Sequence, residues 1–322
     1  MQDTFGRTIN YLRLSITDRC NLRCSYCMPA EGVPLKTCGD ILRYEEFLRI
    51  VTTAAQLGIR KVRVTGGEPL VRKGVLDFLR RVAGTPGIAE VALTTNGLLL
   101  ADQAQALRDA GVRGLNVSLD SLRPEIFTRI TRGGSLATVL KGLEAAESVG
   151  LIIKLNMVVM RGINDQEILP FATMSLDRPW SVRFIEYMPI MREANWQTKI
   201  VSGAEILAQL SRHHDLETLP RGSFCGPART YRIKNAPGTL GIITPMSEHF
   251  CGSCNRIRVT AAGLAKSCLF NDGTVDLKPY LQRPEAELEK VLRQVISAKP
   301  AQHLMDSEQQ QPAAFSMASI GG

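Results

Sequence analysis

From residue 11 to about residue 188 the chain alternates segments of strand periodicity with segments of helical periodicity. This rhythm constrains the fold more than any other feature. Strand-like runs fall at residues 11–17, 61–65, 90–94, 114–118, 151–160 and 181–188. Helical patterns such as 44–57, 98–110 and 136–149 lie between them. Gly58, Gly111 and Gly150 follow these helices, where a left-handed residue commonly ends a helix. Six β-then-α units in series require a parallel sheet with right-handed crossovers. That sheet is either open and doubly wound or a partial barrel.

The strands favour the barrel. Parallel strands buried on both faces read as nearly continuous apolar runs, yet several of these alternate with period two. Leu12, Leu14 and Ile16 share one face while Arg13, Ser15 and Thr17 share the other. Val62 and Val64 oppose Lys61, Arg63 and Thr65, and Leu115 and Val117 oppose Asn116 and Ser118. One polar face per strand, under helices that cover the other face, describes a polar lumen. An ordinary barrel of this kind fills its centre with Val, Ile and Leu. We therefore expect an α/β fold, a partial (β/α)6 TIM-type barrel whose lumen holds a charged ligand.

From about Pro189 the rhythm fades, and residues 220–227 and 235–238 are rich in turn formers. The reading is a barrel over residues 1–220 and a C-terminal extension over residues 221–322. The extension ends in a flexible tail, Ile320-Gly321-Gly322.

The 39 Lys and Arg against 31 Asp and Glu give a net charge of +8, but the cations are scattered and no aromatics interleave with them. That pattern does not suit a nucleic-acid surface; a polyanionic small molecule fits better. No apolar run approaches the roughly 20 residues that span a bilayer. Met1–Arg7 leads straight into a strand-like segment and does not read as a signal peptide. We expect a cytoplasmic protein with no membrane and no nucleic-acid partner.

Six of the eight cysteines form two sets of three, Cys20/Cys24/Cys27 and Cys251/Cys254/Cys268. Cys38 and Cys225 read as small inert thiols. The first set follows the first strand, at the ligand-binding end of a βα barrel. Structural zinc takes four ligands, and the next cysteine is eleven residues on. Three thiolates on a four-iron cubane instead leave one iron open to chelate a small molecule. In the second set, Asn255-Arg256-Ile257-Arg258 puts two arginines on one face of a short extended segment. A zinc knuckle completed by His249, or a fully ligated electron-transfer cluster, is also compatible with this set.

The C-x3-C-x2-C spacing, with Tyr26 before the third cysteine, resembles the motif of the radical S-adenosylmethionine (SAM) superfamily. Thr65-Gly66-Gly67-Glu68-Pro69 resembles that superfamily's GGEP motif. Glycine suits that position because the backbone can approach a ligand closely. Cys251-Gly252-Ser253-Cys254-Asn255-Arg256-Ile257-Arg258, with Cys268-Leu269-Phe270 and the Gly321-Gly322 terminus, is similar to the GTP 3′,8-cyclase family of molybdenum cofactor biosynthesis.

The resemblance implies a lyase with two 4Fe-4S clusters, on Cys20, Cys24 and Cys27 and on Cys251, Cys254 and Cys268. A 5′-deoxyadenosyl radical from SAM would take the ribose 3′ hydrogen of GTP, and the sugar radical would add to C8 of the guanine. It implies SAM contacts at Tyr26, Gly67, Ser118 and Met188. GTP contacts would fall at Arg13, Arg63, Thr94, Lys154, Arg256, Ile257 and Arg258, with Lys61 and Arg183 as neighbours. Arg256 and Arg258 would also serve catalysis. An external electron donor, a downstream cyclic pyranopterin monophosphate synthase and a homodimer complete the implied partners. The residues before the terminal glycines are rich in Gln, Pro and Ala, and Phe315-Ser316-Met317 departs from the basic approach of the family pattern. The rival readings are a two-cluster peptide maturase and a zinc-dependent nucleic-acid-binding protein.

Overall fold

The computed structural model describes residues 1–37, 39–189, 195–220, 222, 226–270 and 273–302. Cys38, Cys225 and the Gly321-Gly322 tail lie outside the described residues.

The six expected strands form as β1 (Tyr11–Ser15), β2 (Lys61–Thr65), β3 (Glu90–Thr95), β4 (Gly114–Ser118), β5 (Ile152–Val159) and β6 (Ser181–Glu186). They pair in parallel in chain order. Between them run α1 (Tyr44–Gln56), α2 (Val75–Ala83), α3 (Leu100–Asp109), α4 (Pro124–Thr131), α5 (Leu136–Ser148) and α6 (Ile168–Asp177). Helices α1, α3 and α5 end two residues before Gly58, Gly111 and Gly150, whose φ values of +93°, +84° and +74° turn the chain back towards the next strand.

The outward faces of these strands carry Leu12, Leu14, Val62, Val64, Leu93, Leu115, Leu155 and Phe184. They join Phe47, Ile50, Phe78, Leu107, Leu143 and Phe171 from the helices in one apolar cluster. Each such side chain contributes about 1.5–3 kcal/mol on burial. Truncating Phe47, which is 0% exposed, to Ala would cost about 3–5 kcal/mol.

Among the described residues the C-terminal part builds no separate sheet. It contributes α7 (Gly203–His213), β7 (Leu216–Thr218), β8 (Arg229–Ile233), β9 (Thr239–Ile243), β10 (Arg256–Val259), β11 (Leu264–Lys266), β12 (Thr274–Asp276) and α8 (Glu285–Ser297). The order in one twelve-stranded sheet is β12-β11-β10-β1-β2-β3-β4-β5-β6-β9-β8-β7. Strand β9 pairs in parallel with β6, and β10 in parallel with β1. The parallel block therefore has eight strands, with antiparallel pairs at each flank. Residues 244–255 join the end of β9 on one flank to the start of β10 on the other, across the open side of the sheet. Among the described residues no helix is long and apolar enough to cross a membrane.

Candidate active site

Strand register stacks the inward side chains. Arg13 of β1 is level with Arg63 of β2 on one side and Arg258 of β10 on the other. Lys154 of β5 is level with Asn116, and Arg183 of β6 with Asn156. Adjacent strands are about 4.8 Å apart, so three guanidinium side chains stand side by side. Like charges directly opposed on neighbouring strands destabilise a sheet. Here they are also dehydrated: Arg13, Arg63 and Arg258 are 7%, 9% and 6% exposed.

Burial, reinforced by Arg258 and Arg63, pushes Arg13 well below the usual arginine range. Burial and then Arg256 push Arg258 down to about 10. Burial and then Arg183 push Lys154 down to about 7. Lys61 pairs with Glu90 at 2.7 Å. This cation stack favours a polyanion strongly. Thr94 Oγ1, Asn156 Oδ1 and Arg63 Nε are buried and accept or donate no hydrogen bond among the described residues. They fit a ligand that would satisfy them.

The first cysteine set sits on the loop after β1. Cys24 O accepts from Cys27 N at 2.9 Å and Met28 N at 3.1 Å, which winds the loop around the thiols. Arg23 Nη1 donates to Cys20 O at 2.7 Å and Leu22 O at 2.9 Å. The end of α4 holds the loop from outside, since Arg23 N donates to Thr131 O and Ser25 N to Ile130 O. Arg132 adds bonds to Arg23 O and Met28 O. Tyr26 OH donates to Asp120 Oδ2 at 2.8 Å, and Val158 N donates to Asp120 Oδ1 at 2.9 Å. Burial pushes Asp120 up to about 6. Burial, then the Glu68 charge, raises the Cys20 thiol. Burial, then Asp120, puts Cys24 well above the usual thiol range.

The GGEP glycines line the cavity and also have a steric reason within the chain. A Cβ on Gly66 would lie 2.6 Å from Thr17 O, and one on Gly67 2.4 Å from Arg19 O. The close approach is to the backbone of the cysteine loop. Gly67 N and Glu68 N donate to Thr17 O and Arg19 O, both at 2.8 Å. The Glu68 carboxyl accepts from Leu70 N, Thr95 Oγ1 and Asn96 N, and burial pushes it up to about 7. Asn96 in turn donates to Asn21 Oδ1 at 2.7 Å and contacts Cys20 Sγ at 3.9 Å. The motif thus anchors the loop that carries the first thiols.

The second set lies on residues 244–255 and just beyond β11. Cys254 N donates to Cys251 O at 3.1 Å. The Arg256 guanidinium lies 3.8 Å from Cys254 Sγ and 5.1 Å from the Phe250 ring. Lys299 Nζ donates to Arg256 O at 2.9 Å and to Ser267 O at 2.7 Å. Burial would raise the Cys254 thiol, but Arg256 and Lys299 outweigh it and hold it at about 6.

One cavity is lined by all six cysteines and by Arg13, Tyr26, Arg63, Gly67, Thr94, Ser118, Met188, Arg256 and Arg258. Lys154 lies below it, in a smaller chamber with Lys61, Arg63, Glu90 and Arg183. Ile257 is the exception. It alternates with Arg256 and Arg258, so its side chain packs into the apolar cluster and is 1% exposed. Sequence reading missed Asn156, which faces the cavity two residues after Lys154 and was available from the strand period. It also missed Asp120, Glu68, Asn96 and Lys299. Glu68 stood inside a recognised motif, but no local pattern marked Lys299.

The donor sets fit the groups implied. Two sets of three thiols face one cavity, each leaving a cluster iron open if one binds, and the cations between them suit a triphosphate.

Comparison with known proteins agrees. The Radical SAM superfamily model matches residues 14–174, and the Molybdenum Cofactor Synthesis C model matches residues 180–305. The GTP 3′,8-cyclase of Geobacter sulfurreducens is 55% identical over 322 residues, covering 99% of each chain. That of Moorella thermoacetica is 48% identical over 325 residues, covering 100% of each. Among solved structures, Streptococcus suis SuiB bound to S-adenosylmethionine superimposes with a TM-score of 0.60 at 15% identity, over 89% of this chain and 68% of that one. Native anSMEcpe with bound AdoMet gives a TM-score of 0.56 at 14% identity, over 86% and 82%. These two share the fold. The motifs, the partial barrel and the full-length similarity agree, and the chain belongs to the GTP 3′,8-cyclase family of the radical SAM superfamily.

Proposed function

We propose that this protein is a GTP 3′,8-cyclase, a lyase that converts GTP to 3′,8-cyclo-7,8-dihydro-GTP in the first step of molybdenum cofactor biosynthesis. The observation that carries the reading is the pair of three-thiol sets facing one lumen, with Arg13, Arg63 and Arg258 in register between them. Cys20, Cys24 and Cys27 would hold the SAM cluster, and Cys251, Cys254 and Cys268 would hold a second 4Fe-4S cluster that would help to bind GTP. When bound, the first cluster and SAM supply a carbon-centred radical able to remove the ribose 3′ hydrogen.

The chain's own residues then do the positioning. Arg13, Arg63 and Lys154 neutralise the triphosphate, relieving the mutual repulsion of buried cations. Arg256 and Arg258 hold the nucleotide against the second set, and Thr94 and Asn156 offer it their unsatisfied oxygens. Ile257 contributes through its backbone. Tyr26, Gly67, Ser118 and Met188 seat SAM, with Asp120 fixing Tyr26. Ring closure joins two atoms of one GTP, so the clamp acts by holding C8 close to C3′ in the reacting conformer.

Residues 1–220 form the radical SAM barrel of this reading, which also supplies Arg13, Arg63, Thr94 and Lys154 to GTP, and residues 221–322 the cluster- and substrate-binding extension, although they share one sheet. An external one-electron donor, a downstream cyclic pyranopterin monophosphate synthase, a homodimer and a reducing cytoplasmic setting belong to the same proposal. The test is anaerobic incubation of the reconstituted protein with SAM, dithionite and each nucleoside triphosphate separately. Cyclised product with 5′-deoxyadenosine is expected from GTP alone. Turnover of a peptide with no reaction of GTP would replace this reading with a maturase.

A further inference from the structure

We propose that Arg7 is the positioning residue of the second cysteine set, a clamp that ties the Cys251 loop to the chain leaving α8. The inference rests on the reading of Cys251, Cys254 and Cys268 as cluster ligands.

The clamp begins as a local turn. Asp3 Oδ1 accepts from Phe5 N and Arg7 N, both at 2.9 Å, and Gly6 takes a φ of +74° to close the turn. Asp3 Oδ2 then accepts from Arg7 Nε at 2.5 Å, so the guanidinium is aimed before it reaches anything distant. Both residues are 8% exposed.

A guanidinium carries five N–H hydrogens in a rigid fork, and Arg7 makes five bonds. Beyond Asp3, Nη1 donates to Cys251 O at 2.9 Å and to Ala301 O at 3.2 Å. Nη2 donates to Lys299 O at 3.4 Å and to Pro300 O at 2.8 Å. Three consecutive carbonyls just beyond α8 are gathered on one cation, together with the carbonyl of a cysteine 244 residues away. Lysine offers three hydrogens and no fork, so it cannot replace this arrangement.

The bonds reach the backbone around all three cysteines of the set. Cys251 is held directly. Lys299, whose backbone Arg7 fixes, extends Nζ to Arg256 O, two residues after Cys254, and to Ser267 O, one residue before Cys268. The first cysteine set is braced by other residues, Arg23 and Arg132, from another part of the chain. Removing the Arg7 side chain therefore loosens one set and spares the other.

The test compares wild type, Arg7→Ala and Arg7→Lys as full-length protein. In the iron-free state, alkylation of each cysteine is followed by mass spectrometry. Arg7→Ala is expected to speed Cys251 roughly tenfold, the loss of about one or two net hydrogen bonds, with Cys20 unchanged. After anaerobic reconstitution, iron should fall from about eight to about four per chain, while reductive SAM cleavage stays within about twofold of wild type. Arg7→Lys should behave as Arg7→Ala. Should Arg7→Ala fail to fold, Lys299→Met must show the same selective loss at Cys254 and Cys268. Unchanged Cys251 alkylation, rescue by lysine, or equal loss at both sets with a lower Tm would overturn the clamp. About four irons in wild type would instead refute the second cluster, and the alkylation rates would still decide the clamp.

Discussion

The two cysteine sets use the same ligand atom and the same count, but their surroundings carry opposite charge. Cys20 and Cys24 are raised by burial and then by the Glu68 and Asp120 carboxyls. Cys254 is held at about 6 against its own burial by Arg256 and Lys299. The first setting suits a ligand bearing a positive sulfonium, and the second suits a polyanion. Between them the register places Arg13, Arg63 and Arg258 in one row. Under the proposed function, this difference would sort SAM from GTP by charge as well as by shape.

The largest effect expected from this contrast is at the first set. Cys24→Ser should abolish both 5′-deoxyadenosine and cyclised product, measured by anaerobic turnover. Retained SAM cleavage would break the assignment of that set.

A smaller effect belongs to the row of arginines. Arg258→Ala should weaken GTP binding by roughly 10- to 100-fold, the range for a charge-assisted hydrogen bond, with SAM cleavage unchanged. Isothermal titration checks the first part, and equal weakening of SAM and GTP would contradict the grading.

The thiols themselves offer a third comparison. In iron-free protein, Cys254 should alkylate with a midpoint near its value of about 6, whereas Cys24 should need pH well above the usual thiol range. Matching profiles would mean that the two settings do not differ.

Smallest is a pH effect at the floor of the lumen. Lys154 is pushed down to about 7, so it loses its charge as pH rises through that value in the free protein. Binding a triphosphate favours the charged form, and affinity should therefore fall by roughly tenfold between about pH 6 and about pH 8. Lys154→Arg should flatten the profile, which separates this titration from that of the nucleotide.

Much of this site was legible in the sequence because strand period fixes facing. Arg13, Arg63 and Asn116 alternate with core residues, and the structure turns all three inward. Facing also sets the Ile257 side chain apart, because it stands between two cavity arginines and so points away from the cavity. Strand β9 was not legible and β10 was read only as a short extended segment, not as a partner of β1, since a loop joins them instead of a helix and no βα rhythm marks them. The roles of Arg7 and Lys299 were hidden for a related reason. Their partners are backbone carbonyls remote in sequence, and carbonyls leave no trace in residue type.

The most direct test of two differently tuned sets in one lumen is GTP binding by the Cys251→Ser, Cys254→Ser, Cys268→Ser triple variant after anaerobic reconstitution. GTP affinity is expected to be lost while reductive cleavage of SAM to 5′-deoxyadenosine persists. Unchanged GTP affinity in that variant would contradict it.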